Sequence, residues 1–325
     1  MTHPPIGTII AGIIPMQREV RIGISGWNYA PWRGVFYPKG LKHSRELAFA
    51  GGIFSSVEVN GTFYSLQRPS SFRRWYADTP PGFVFALKGS RYITHMLRLR
   101  NAEQALANFF ASGLLCLGEK LGPILWQLPP RTVYDPGLLD AFFEQLPRTL
   151  GEAARLAQNH DQRVAGRSVV DVPSELAAQA VRHVCEIRHE SFRDREYVRL
   201  LQRHEIAHCI ADTAGLYPCF GDVTTDFVYV RLHGSSELYA SGYDVRELAT
   251  WASRIRAWTR GEAPATPPRV SGGGLRPRPR QVFVYFDNDI KVHAPFDAQN
   301  LTRLLEGRRI RKRPAVPADG RAVRA

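Results

Sequence analysis

A single (β/α)8 barrel of the TIM type is the fold class this sequence predicts. Three observations lead there. Eight short apolar runs rich in Val, Ile, Phe and Tyr are spread along the chain. Helical segments separate nearly all of them. Each run stops being apolar at its last residues, where in seven of the eight Glu, Lys, Gln, Arg, His or Asp takes over, as at the carboxyl ends of barrel strands. The 325 residues would allow two domains, but α/β barrels of this length are commonly one. No internal repeat argues otherwise.

Residues 1–20 carry no amphipathic pattern and read as a disordered arm. A first strand over 21–27 runs into small and polar residues. A short helix over 44–50 begins at Ser44, a possible N-cap. The stretch 56–64, Ser-Val-Glu-Val-Asn-Gly-Thr-Phe-Tyr, opens as the second strand. Val57 and Val59 point one way there and Glu58 and Asn60 the other. A helix over 69–77 has Pro69 or Ser70 in its first turn. The third strand, 83–89, carries Lys88 near its end, and a long helix follows from 101 to about 117. The fourth strand, 122–128, is stopped by Pro129 and Pro130. Asp135 as N-cap with Pro136 behind it starts a helix to 145. An elaborated loop and helix fill 147–184.

The fifth strand is read over 184–190, a helix over 193–203, and the sixth strand over 206–212, ending in Asp212. Gly215, Pro218 and Gly221 leave no room for a helix in 213–225. The seventh strand is 227–234, and an amphipathic helix covers 245–258. The Pro/Gly/Arg-rich stretch 261–280 reads as a flexible insertion. The eighth strand is 282–289 and the closing helix 297–305. The barrel domain therefore spans 21–306, and 307–325 reads as a disordered basic tail.

The net charge of +13 points to a phosphate-bearing or polyanionic partner, but it is unevenly placed. The tail from Arg308 contributes +6 and the insertion +3, leaving a body of only +4. A nucleic-acid partner is thus an expectation for the tail and loop rather than the barrel. Cys116, Cys185, Cys209 and Cys219 form no C-x-x-C pair and read as free thiols in a reducing, cytoplasmic setting. The apolar run 6–16 lacks a basic flank and a cleavage pattern and is too short to span a bilayer. No membrane association is expected.

Strand alternation nominates an inward set at the barrel mouth: Glu58, Asn60, Lys88, Gln127, Glu186, Arg188, Asp212, Arg231, His233 and Asp287. His95 and His189 come just off the strand ends, and Trp27, Trp32, Tyr64 and Tyr92 could line the rim. So many charges in one ring must pair with each other or with a ligand, because isolated buried charge is very costly. A purely structural ion-pair plug is one outcome. The other is a pocket for a small polar or anionic molecule. There Arg188, Arg231 and Lys88 would bind phosphate or carboxylate, and Glu58, Lys88, Glu186, Asp212 and Asp287 would supply acid/base chemistry. Glu186, His189, Asp212, His233 and Asp287 are ligand types suited to zinc or manganese, but no metal-binding spacing supports a site. Lys88 could form a Schiff base, yet an ion-paired lysine is the expectation. His43, His160, His183, His204 and His208 fall on helices, loops or the outer strand face. Asn60-Gly61-Thr62 matches a glycosylation triplet only formally.

Several of these stretches resemble one known family. They are Ile22 through Tyr29 with Trp32-Arg33-Gly34, Ser56 through Tyr64, Phe85-Ala86-Leu87-Lys88, Ile93-Thr94-His95, Gln127-Leu128-Pro129-Pro130, Glu186-Ile187-Arg188-His189, Tyr229 through Gly234 and Tyr285 through Asp289. Together they are similar to the motifs of the YecE-like family, domain of unknown function 72. The resemblance covers roughly 21–305. It implies a TIM-type barrel and, more loosely, kinship with sugar isomerases; it implies no established activity. The first functional expectation is acid/base chemistry on a sugar-like or phosphorylated compound. The alternatives are a metal-dependent nucleic-acid phosphodiesterase in the style of endonuclease IV and a non-catalytic ligand-binding protein.

Overall fold

The structure is a computed structural model that describes residues 19–272 and 277–311. Eight parallel strands close into a barrel in sequence order: β1 Val20–Ser25, β2 Ser56–Val59, β3 Val84–Lys88, β4 Leu121–Gln127, β5 His183–Glu186, β6 Ile206–Asp212, β7 Phe227–Leu232 and β8 Gln281–Phe286. β8 pairs back onto β1, so no sheet edge is left open. The shell holds α1 Glu46–Gly51, α2 Pro69–Asp78, α3 Glu103–Ala111, α4 Pro136–Glu144, α5 Leu150–Ala157, α6 Arg195–Arg203, α7 Val245–Thr259 and α8 Ala294–Leu305. β6 and β7 are joined without a helix, as the Gly/Pro pattern predicts.

The pleat divides the core in two. Ala86, Leu125, Val184, Cys209, Ala211, Tyr229, Phe283 and Tyr285 fill the barrel interior. Ile24, Val57, Leu87, Trp126, Ile210, Val230 and Val284 face the helical shell. Both faces are therefore apolar, which is what a parallel sheet covered on both sides demands. Gly23 lets β1 approach β2 closely: a Cβ there would lie 1.9 Å from the Ser56 carbonyl oxygen.

The helix expected over 101–117 is split. α3 ends at Ala111, Gly113 takes a φ of 121°, and a 3-10 segment, Leu114–Lys120, completes the connection. A Cβ on Gly113 would meet Pro69 at 2.6 Å, so the break lets the chain pass close to the start of α2. The fifth strand stops at Glu186, placing Arg188 and His189 in the following loop. The closing helix starts three residues early, at Ala294, with Pro295 in its first turn.

The insertion is tethered where it is described: Asp222 accepts from the amides of Val270 (2.6 Å) and Ser271 (3.0 Å). Residues 307–311, expected to begin a disordered tail, turn back onto α8, where Asn300 exchanges hydrogen bonds with the Arg311 backbone at 2.9 and 3.1 Å. The arm begins its strand one residue earlier than expected, at Val20. The rest of the arm (1–18), 273–276 of the insertion and the tail from 312 lie outside the described residues. Among the described residues no helix is long and apolar enough to cross a membrane.

Candidate active site

Register explains why distant residues meet. Ser25 stands level with Glu58 and Glu58 with Ala86; Gln127 stands level with Glu186; Arg231 stands level with both Ala211 and Tyr285. Level residues on neighbouring parallel strands share a face. Ala86 and Ala211 are small, which leaves the centre of this layer to the long side chain of Arg231.

Arg231 is fully buried and three carboxylates converge on it. Its Nη2 donates to Glu58 Oε1 and Asp287 Oδ2, both at 2.8 Å, and its Nη1 donates to Glu186 Oε2 at 2.8 Å. Nε also donates to Glu58, at 3.1 Å. Glu58 accepts further from Tyr229 Oη at 2.6 Å and from Ser25 Oγ. Glu186 accepts from Gln127 Nε2 (2.8 Å) and Arg188 Nε (3.0 Å). Arg231 Nη1 also lies 3.3 Å from His233 Nε2. A guanidinium only donates, so His233 Nε2 accepts and the imidazole carries its proton on Nδ1, 3.1 Å from Asp287. Burial alone would raise Glu186 and Asp287, but Arg231 beside them wins and holds both well below the usual carboxylate range.

Above this ion cluster stand groups that are less committed. Lys88 Nζ lies over the Phe63 ring, 4.3 Å from its centre. Among the described residues it makes no hydrogen bond or ion pair, which corrects the expectation of an ion-paired lysine. Burial, then repulsion from Arg231, lowers its pKa to about 8 against the pull of Glu186, Asp287 and Glu58. Arg188 reaches Tyr239 Oη at 3.3 Å and lies over the Tyr217 ring. His95, on the turn Tyr92–Met96, packs edge-on against Phe63 at 5.1 Å. Burial, then Lys88 and Arg188, lowers it to about 4, so its imidazole is neutral. Asn60 donates to Ser25 Oγ at 3.1 Å, while its buried Oδ1 has no partner among the described residues. Asp289, paired with Tyr29, is raised to about 6 by burial and then by the charge of Asp287.

Of the residues nominated from sequence, Glu58, Asn60, Lys88, Gln127, Glu186, Arg188, Arg231, His233, Asp287 and His95 come together at this mouth. Asp212 does not join them. It stands level with Leu232 on the outward face, with His208 and Ile210, and accepts from Tyr243 Oη at 3.2 Å. Its parity is that of His208, which the sequence already puts on the outer face, while Ala207, Cys209 and Ala211 point inward. His189 caps its own turn, accepting from the Ser191 amide at 3.2 Å. Trp27 packs edge-on against Trp75 of α2 at 5.4 Å. Trp32 is not a rim residue: it is fully buried and its Nε1 donates to the Asp289 carbonyl at 3.2 Å. Tyr64 is exposed against Phe63, and Tyr92 packs under Arg163. Ser25, Tyr229 and Asp289 were missed, although each lies on the inward parity or two positions from a nominated residue. Tyr29 and Tyr239 come from loops and had no such signal.

Among the described residues no group of three or more His, Cys, Asp or Glu is placed to hold a metal ion. The carboxylates at the mouth are turned onto Arg231 rather than onto a shared point, so this donor set does not fit a divalent cation.

The profile of a family described as "Protein of unknown function DUF72" matches residues 21–320. The protein YecE of Escherichia coli is 26% identical over 133 residues, which are 41% of this chain and 45% of that one. The protein YunF of Bacillus subtilis is 25% identical over 116 residues, 34% of this chain and 40% of that one. The chain thus aligns with less than half the length of these curated relatives. A DUF72 family protein from Thermotoga maritima has a crystal structure that superposes with a TM-score of 0.66 at 25% identity, covering 88% of this chain and 99% of that one. One from Enterococcus faecalis, at 14% identity, gives 0.62 over 88% and 95% and shares the fold.

Proposed function

Since the chain belongs to the DUF72 family of proteins of unknown function, its activity has to be read from the mouth itself, and we propose an enzyme that performs acid/base chemistry on a small anionic, sugar-like or phosphorylated compound. The observation that carries this reading is Lys88: a buried amine without a hydrogen-bond or ion-pair partner among the described residues, poised near about 8. Folding alone gives little reason to keep such a group, and displaced pKa values gather where chemistry is done.

Arg231 is a positioning residue in this reading, because all its donors are spent on Glu58, Glu186, Asp287 and their neighbours. Lys88 and Arg188 would take the anionic group of the ligand. The Asn60 Oδ1 acceptor and the aromatic ring of Phe63 would contact its hydroxyls and its carbon face. Asp289 as carboxylate would be the base and Lys88 as ammonium the acid, two groups whose pKa values bracket neutrality.

The test is a panel of sugar phosphates and sugar acids, scored by turnover and by thermal melting of the full chain. At least one member should raise the melting temperature of the wild type, and Lys88→Met should weaken that ligand at least about tenfold, or about 1.4 kcal/mol. A panel that shifts nothing, or a Lys88→Met variant that responds as the wild type does, would return the cluster to a purely structural role.

A further inference from the structure

A second cavity lies at the other end of the barrel. It encloses about 620 Å³ below the amino ends of β5 to β8, and Arg148, Arg182, Arg269, Arg278 and Arg280 all line it. That volume is typical of a small-molecule pocket. It is also the end of the barrel that reactions rarely use.

Arginines outnumber carboxylates in the lining. Arg182 reaches across the barrel foot, lying over the Phe227 ring at 5.3 Å and donating to the side-chain amide oxygen of Gln281 at 2.5 Å. Arg148 donates to the Phe143 carbonyl at 3.1 Å. Among the described residues, Arg148, Arg182 and Arg278 have no carboxylate within ion-pair distance. The lining does contain Glu205, Asp222 and Asp226. Both oxygens of Asp222 accept from the amides of Val270 and Ser271, so that carboxylate also anchors the loop, and the lining sets five arginines against three carboxylates. Burial and then the neighbouring Arg278 lower the Arg280 pKa, against the pull of Asp226.

We propose that this foot cavity is a binding site for a small molecule carrying a di- or triphosphate group. Planar guanidinium groups from three separate connections offer forked donors to several phosphate oxygens at once. A single carboxylate would engage only one or two of them. The distance from the mouth makes this a binding or regulatory site rather than a second reaction centre.

Isothermal titration of the full chain with sodium tripolyphosphate at low ionic strength tests the assignment. The wild type should bind one equivalent. Arg182→Gln and Arg278→Glu should each weaken binding at least about tenfold, and Arg278→Glu, at an exposed position, should melt at the wild-type temperature without the probe. Lys88→Met should bind tripolyphosphate as the wild type does. No binding by the wild type, equal binding by both arginine variants, or loss of binding only in Lys88→Met would overturn the proposal. So would a single-stranded oligonucleotide that outcompetes tripolyphosphate with a salt dependence spanning many phosphates, since that would assign the arginines to a nucleic-acid backbone.

Discussion

Removing the Arg231 side chain would leave Glu58, Glu186 and Asp287 facing one another in the buried centre of the barrel. Breaking a buried charge cluster from one side costs about 3–5 kcal/mol, so Arg231→Met should lose about that much in urea denaturation at pH 7. The pH dependence follows from the direction of the shifts. Glu186 and Asp287 are held below their unfolded values, so their stabilising contribution is complete above the ordinary carboxylate range and fades as pH falls below it. In Arg231→Met the same groups can protonate, and the gap between variant and wild type should therefore narrow in acid. A gap that stays constant from pH 7 to pH 4 would mean that the carboxylates are not held by Arg231. Lys88 predicts the opposite sign. Replacing a buried amine that lacks a polar partner by Met should raise stability by about 1 kcal/mol while removing the ligand response. Where turnover is found, its pH profile should be bell-shaped, rising near about 6 as Asp289 ionises and falling near about 8 as Lys88 loses its proton. A flat profile across that window would remove both residues from proton transfer.

Element by element, the starts of α2, α4 and α7 were legible, whereas Ser44 does not cap α1, which begins at Glu46, and α8 begins three residues early. Asp135 accepts from the Leu138 amide at 3.0 Å with Pro136 behind it, as the local sequence requires. Strand phase was harder. Glu58, Lys88, Glu186 and Arg231 announce the inward face by carrying charge on one parity, whereas in Ile206–Asp212 both polar residues, His208 and Asp212, lie on the outward parity, and Asp212 was misplaced. Gly113, which splits the long helix, was illegible because its reason is the backbone of Pro69, more than forty positions earlier. Gly23 gives the element-scale prediction. Gly23→Ala would drive a methyl group into the Ser56 carbonyl and push β1 from β2 beside the Ser25–Glu58 contact. Overpacking of this kind costs about 1–3 kcal/mol. A denaturation midpoint unchanged from wild type would show that the two strands have room to spare.

At the scale of the whole molecule, closure of the barrel keeps its two ends apart. The mouth is built by the carboxyl ends of the strands and the cavity by the amino ends of β5 to β8, with the interior layer of Tyr229, Phe283 and Phe227 between them. Sites without shared partners add. The stability and binding effects of Lys88→Met and Arg182→Gln should therefore sum to within about 0.5 kcal/mol in the double variant. A larger coupling would mean that the packed interior transmits strain from one end to the other.

The amino-acid sequence by itself determined the eight-strand order, the alternation of strands with helices and the set of charged strand ends, because these depend on local period and composition. It also placed ten of the mouth residues, since a parallel barrel necessarily brings its strand ends into one ring. Only the tertiary structure decided which charges neutralise which. Arg231 was read as a ligand-binding cation and is the buried centre of three carboxylates, whereas Lys88 was read as ion-paired and, among the described residues, has no hydrogen-bond or ion-pair partner and lies over Phe63. Partner choice depends on register and on the space left by Ala86 and Ala211, which are distances between strands and not properties of any one of them.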